Sequence, residues 1–181
     1  MNTRIILAVL LGNMAFISVH AAENNIQITG NLVTEPCTLA PESADIPLDF
    51  GTIVGKYFQT TKRTPGIRFS IKLMDCDTSM GSSATVTFLG AESGSLPGLL
   101  ATNNGEENGL AFGIETLPDA DSEVAPQLIP INKPSPLFLL SNSESVITLQ
   151  GYIEAEPEAI ETNTVKPGPF AVTATFKVDY Q

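Results

Sequence analysis

The sequence predicts an all-β sandwich. Apolar residues occupy every second position in a series of short segments, about six of them, set at the spacing expected of sandwich strands. No stretch sustains a 3.6-residue apolar period free of Pro or Gly. The length of 181 residues and a hydrophobic fraction of 43% suit one good-sized domain, while an aromatic content of 7% without any Trp is lean.

The N-terminus is set apart from that domain. Asn2, Thr3 and Arg4 precede a mostly apolar run from Ile5 to Val19 that ends at the small residues Ala21 and Ala22. This is the layout of a secretory signal peptide over residues 1–21, cleaved after Ala21 or Ala22. The run is too short for a membrane span and is followed at once by polar Glu23, Asn24 and Asn25. Residues 22–34 then form an arm in which Ile26, Ile28, Gly30 and Leu32 alternate with polar residues, a strand with one apolar face. Pro36 marks an edge or a bend before Cys37.

Residues 35–181 make up the domain proper. Asp45 to Gly51 is a short alternating piece, and Lys56 to Pro65 a polar connection. Gly66 to Cys76 is the first long strand, with Ile67, Phe69, Ile71 and Leu73 on one face; Cys76 has the opposite parity, which predicts a bulge just before it. Ala84, Val86 and Phe88 alternate with Thr85 and Thr87 as in a half-buried strand. Gly90 to Gly109 reads as a loop with little core, its Asn-Gly pairs suited to turns with positive φ. Leu110, Phe112 and Ile114 form the next strand. Four prolines between Asp119 and Pro136 exclude a helix there and leave a brief edge strand around Leu128, Ile129 and Ile131. Ser143 to Ile153 is a further strand, and Glu154 to Pro167 an acidic loop. The last element, Gly168 to Gln181, places Phe170, Val172, Ala174, Phe176, Val178 and Tyr180 at every second position. It is a strand with a buried face and an open edge that something else must cover.

Charge and composition narrow the functional classes. Removal of the signal peptide takes Arg4 and the only histidine, His20, leaving eight basic residues against twenty acidic ones and a net charge near −12. Nucleophiles activated by histidine and imidazole-ligated metals are thereby excluded from the exported form. So strong a negative balance also disfavours nucleic acid and anionic membranes as partners. The clustered carboxylates Glu154, Glu156, Glu158 and Glu161, and Asp119, Asp121 and Glu123, do not follow a calcium-loop spacing. They are expected to be solvated loops, and no carboxylate pair stands out for hydrolysis. No catalytic residue, metal, cofactor or small-molecule substrate is expected. Cys37 and Cys76, an even count in an exported chain, predict one disulfide worth about 4 kcal/mol on a chain-entropy model.

Several of these features taken together resemble the pilin subunits of chaperone–usher fimbriae. They are Ile26-x-Ile28-x-Gly30-x-Leu32, then Pro36-Cys37-Thr38, then Phe69-x-Ile71-x-Leu73 running to Cys76, and finally Gly168, an alternating strand and Tyr180 next to last. The resemblance spans essentially the whole exported chain. It implies an incomplete immunoglobulin-like β-sandwich lacking its C-terminal seventh strand, with an N-terminal donor-strand extension. It further implies a structural, non-enzymatic subunit, of the shaft or an adaptor, that passes through the periplasm to the cell-surface fimbrium. The implied partners are a periplasmic pilus chaperone, an outer-membrane usher and neighbouring pilin subunits. The implied donor residues are Ile26, Ile28, Gly30 and Leu32. The acceptor edge and chaperone-recognition strand would run from Gly168 through Phe170, Val172, Ala174, Phe176, Val178 and Tyr180. Asn24 departs from the pattern, standing where related subunits often carry an apolar residue. The length leaves no room for a second, receptor-binding domain. A self-contained secreted immunoglobulin-like binding module, its N-terminal strand completing its own sheet, is the alternative reading.

Overall fold

In the computed structural model, residues 35–102, 108–117 and 124–181 are described. The expected signal peptide and the expected arm with Ile26, Ile28, Gly30 and Leu32 lie outside the described residues. Two antiparallel sheets share one core. The larger contains β1 (Thr38–Leu39), β2 (Ile67–Cys76), β4 (Leu100–Ala101), β5 (Leu110–Thr116) and β7 (Ser143–Ala155) in the order β1-β2-β7-β5-β4. The smaller contains β3 (Ser83–Leu89), β6 (Phe138–Leu139) and β8 (Thr175–Tyr180) in the order β6-β3-β8.

Alternation in the sequence becomes alternation in burial. Ile71 and Leu73 of β2 and Ile147 and Leu149 of β7 are buried, and they meet Ala84, Val86 and Phe88 of β3 in the common core. β2 and β7 pair from Ile67↔Gly151 to Met74↔Glu144, after which the register shifts and Cys76 pairs with Ser143. Asp75, at φ 52, takes up the extra residue, so the bulge that the parity of Cys76 demanded is present. The slip turns Cys76 inward to bond Cys37.

Five segments depart from the expectations. Lys56 to Pro65 is not merely polar connection: a 3₁₀ turn at Gly55–Tyr57 runs into the one-turn helix α1 (Phe58–Thr61), which buries Phe58. A single apolar residue in a polar turn carries no period to read. The loop from Gly90 contains β4 and buries Leu99 and Leu100. Thr85 and Thr87 are buried rather than half-exposed, because β3 has neighbours on both edges. Asn132 and Ser135 donate backbone N–H groups to Phe88 O and Val86 O on one side, and β8 pairs on the other. The acidic loop is shortened at both ends. Glu154 and Ala155 finish β7, and Pro157–Glu161 forms α2, with Pro at its start and Asn163 at φ 55 just after it. The edge strand foreseen near Leu128 is reduced to an isolated bridge to Glu115, with Ile129 N–H donating to Ile114 O.

One glycine marks a close approach across the larger sheet. A methyl group on Gly113 would lie 2.2 Å from Tyr152 Cζ, and that ring is held by the Arg63 guanidinium 4.0 Å above its centroid. Gly113→Ala is therefore expected to cost about 1–3 kcal/mol, read as a lowered melting temperature.

Candidate functional site

The strand pattern at the C-terminal end places an apolar edge where the sandwich is unfinished. β8 pairs with β3 from Ala84↔Tyr180 to Leu89↔Thr175, and no described strand lies on its other side. The six alternating residues Phe170, Val172, Ala174, Phe176, Val178 and Tyr180 all pack on the core, and all remain only partly buried. From Phe170 to Ala174 the chain has no ladder partner among the described residues. The segment from Asp45 to Ile53 is in the same condition. Ile46, Leu48 and Phe50 alternate, half-buried, against the core, yet no described strand pairs with them.

These two unpaired segments are the walls of a groove of about 1110 Å³. Its floor is apolar and largely aromatic. Phe50 meets Phe112 edge-on at 5.9 Å, Phe88 lies 6.4 Å from Phe69 and 6.2 Å from Phe176, and Leu100, Ile114 and Ile153 fill the spaces between. Apolar side chains in such a slot lose water only when something enters it. Two rows of backbone N–H and C=O groups stand ready on either side, as at any open sheet edge.

Each end of the groove is fastened differently. Beyond its lining residues, Val178 and Tyr180 carry β8 to the disulfide, where Tyr180 Oη donates to Cys37 O at 3.3 Å and burial pushes the Tyr180 hydroxyl above its ordinary pKa. Asp77 N–H donates to Pro36 O, so the chain just before Cys37 is tied to the same corner. At the other end α1 meets the segment after α2, where Gln59 donates to the side-chain carbonyl of Asn163.

Sequence reasoning missed the polar cluster behind the groove. Glu115, at the end of β5, is 4% exposed and accepts two hydrogen bonds from Arg63, at 2.7 and 3.0 Å, and one from Gln150 at 2.6 Å. Nothing local announces it. Glu115 sits at a polar parity position, and its cation comes from 52 residues away. The pairing holds the Arg63 guanidinium above its usual pKa, chiefly through the bond to Glu115.

Nearby Glu154 is pushed above the ordinary 4.5 by burial, with Arg63 and Lys62 opposing. A folded-state pKa above the unfolded one means that the folded chain holds the extra proton, so stability declines as pH rises through that interval. Glu154→Gln is expected to melt higher than the unsubstituted chain at pH 7. The difference should vanish below pH 4.5, which thermal melts across pH would show.

The structure thus brings Gly168, Phe170, Val172, Ala174 and Phe176 together as groove lining, places Val178 and Tyr180 on the paired continuation of the same strand, and joins Cys37 to Cys76. The class of protein follows: an immunoglobulin-like sandwich short of one strand.

Comparison with known proteins agrees. The family model described as "Fimbrial protein" matches residues 26–181. The chain is 28% identical to a putative minor fimbrial subunit, PmfF, of Proteus mirabilis over 95% of this chain and 92% of that one. It is 30% identical to the fimbrial adapter PapK of Escherichia coli over 89% and 90%. The crystal structure of the P pilus rod subunit PapA superposes with a TM-score of 0.68 at 20% identity, over 81% of this chain and 100% of that one. The chain belongs to the fimbrial protein family and is a structural fimbrial subunit.

Proposed function

We propose that this subunit polymerises by donor-strand exchange. The arm of one copy, through Ile26, Ile28 and Leu32, enters the groove of a neighbouring pilin subunit, with Gly30 allowing close backbone approach at its step. The observation that carries this reading is the apolar groove with an unpaired segment on each side. An incoming strand supplies ladder hydrogen bonds to both walls and side chains to the floor. Transfer of the three large arm residues alone contributes about 5 to 9 kcal/mol before ordering costs.

Before assembly the same edge is an aggregation hazard and must be covered. A periplasmic pilus chaperone fills that need, followed by exchange at an outer-membrane usher and display on the cell-surface fimbrium. The subunit's role in the fibre is structural and involves no catalysis. Both major and minor subunits occur among its relatives, so shaft and adaptor positions are each consistent with its sequence.

The test is purification of the exported chain from the periplasm. It is expected in an equimolar complex with a chaperone. A chain that stays monomeric, needs no chaperone and takes up no added arm peptide would support a self-contained binding module instead. Ile28→Asp is expected to leave chaperone capture intact while stopping the subunit from docking into its neighbour. Fibre length and the periplasmic pool measure this, and fibres of normal length would contradict it.

A further inference from the structure

We infer that Asp45 and Asp49 determine which strand the groove admits: they reject acidic strands and hold a neutral arm in register. The inference rests on the donor-strand reading above and names the chemistry of the strand that the groove takes. The two aspartates are not a binding site of their own but charges on the rim of an apolar one.

The wall from Asp45 to Ile53 divides by parity. Ile46, Leu48 and Phe50 are half-buried against the core, whereas Asp45, Pro47 and Asp49 between them are exposed. Both carboxylates border the groove, and no ion pair among the described residues includes either of them. Asp49 Oδ1 accepts from Gly51 N–H at 2.8 Å, which keeps that carboxylate on the wall. The facing wall offers no compensation along its length. Its exposed residues Pro169, Ala171, Thr173 and Thr175 are uncharged, and Lys166, before Gly168, is the sole cation among the described lining residues.

An incoming strand that sets its apolar side chains on the floor sets the intervening ones beside Asp45 and Asp49, because paired strands keep their side chains in step. In the arm those intervening positions are Asn25, Gln27, Thr29 and Asn31. None is charged, and the neutral span runs from Asn24 to Thr34 in a chain with twenty acidic residues. Glu23 and Glu35 bracket that span on the same parity. A strand slipped far enough along the wall brings one of them opposite an aspartate, and like charges directly opposite destabilise a strand pair. The same repulsion refuses any strand that carries carboxylates at the intervening positions.

The experiment measures binding of fluorescent peptides of residues 24–34, blocked at both ends and in excess, to the exported chain at low salt. In each peptide one of Asn25, Gln27, Thr29 and Asn31 is replaced by Glu or by Lys. Because Asp45 and Asp49 are four residues apart, two peptide positions with the same separation, 25 and 29 or 27 and 31, should discriminate most. At those positions the Lys peptide is expected to bind about fivefold more tightly than the Glu peptide. The preference should shrink in about 1 M salt. It should disappear in the chain carrying Asp45→Asn and Asp49→Asn, whose fold is checked by circular dichroism. A preference that is equal at all four positions, or that survives in the double variant, reports only the field of an acidic chain and would overturn the proposal. So would the absence of a preference at every position. Failure of the unsubstituted peptide to bind would overturn the donor-strand reading itself and the inference with it, and that control distinguishes the two failures.

Discussion

Val172→Asp is expected to leave the isolated chain folded and to abolish occupation of its groove. Val172 lines the groove, has no ladder partner among the described residues and is only half-buried, so a carboxylate there can reach water while the groove is open. Once a strand covers it, the same carboxylate is sealed against the apolar floor that includes Phe88 and Phe176. Burying such a group without a partner costs about 3 kcal/mol or more, which is over a hundredfold in affinity. The measurement is a pair of assays on one variant: thermal melting of the free chain and capture by chaperone in the periplasm. Val178→Asp makes the contrast. Its residue lies opposite buried Val86 within the β3–β8 ladder, so stability and capture should fall together.

Cys76→Ser is expected to have the largest effect on stability. The bridge closes a loop of 39 residues, which constrains the unfolded chain by about 4 kcal/mol. That is a large share of the 5–15 kcal/mol typical of a domain. The same bridge anchors the bulge at Asp75 and the carbonyl that Tyr180 Oη bonds, so its loss also frees the end of β8. Reduced chain is expected to reproduce the variant's lowered melting temperature. An unchanged melting temperature would show that the bridge constrains neither state.

How much of this was written in the sequence depends on what a period can report. Alternation from Ile67 to Leu73 and from Phe170 to Tyr180 revealed runs with one apolar face; the first is strand throughout, whereas the second is paired strand only from Thr175 to Tyr180, the part before it lying unpaired along the groove. The parity of Cys76 revealed a bulge, because a side chain on the wrong face must be turned by an added residue. Alternation says nothing about edges, however. Ile46, Leu48 and Phe50 look like any strand, and only the fold shows that they lack a described ladder partner and form the second wall. Phe58 and Glu115 were invisible for another reason. Phe58 follows Tyr57 in a turn too short to show a period, and Glu115 sits at a polar parity position with its partner far along the chain, so neither departs from the local pattern.

The relation between groove and arm is tested most directly by photo-crosslinking. A photoreactive residue replaces Ile28 in fibres assembled from a mixture of isotopically light and heavy subunits, and the crosslinked peptides are identified by mass. Donor-strand exchange predicts mixed light–heavy pairs in which position 28 is joined to residues 45–53 or 168–176 of another copy. Crosslinks confined to single-isotope pairs, or directed outside those two walls, would contradict it.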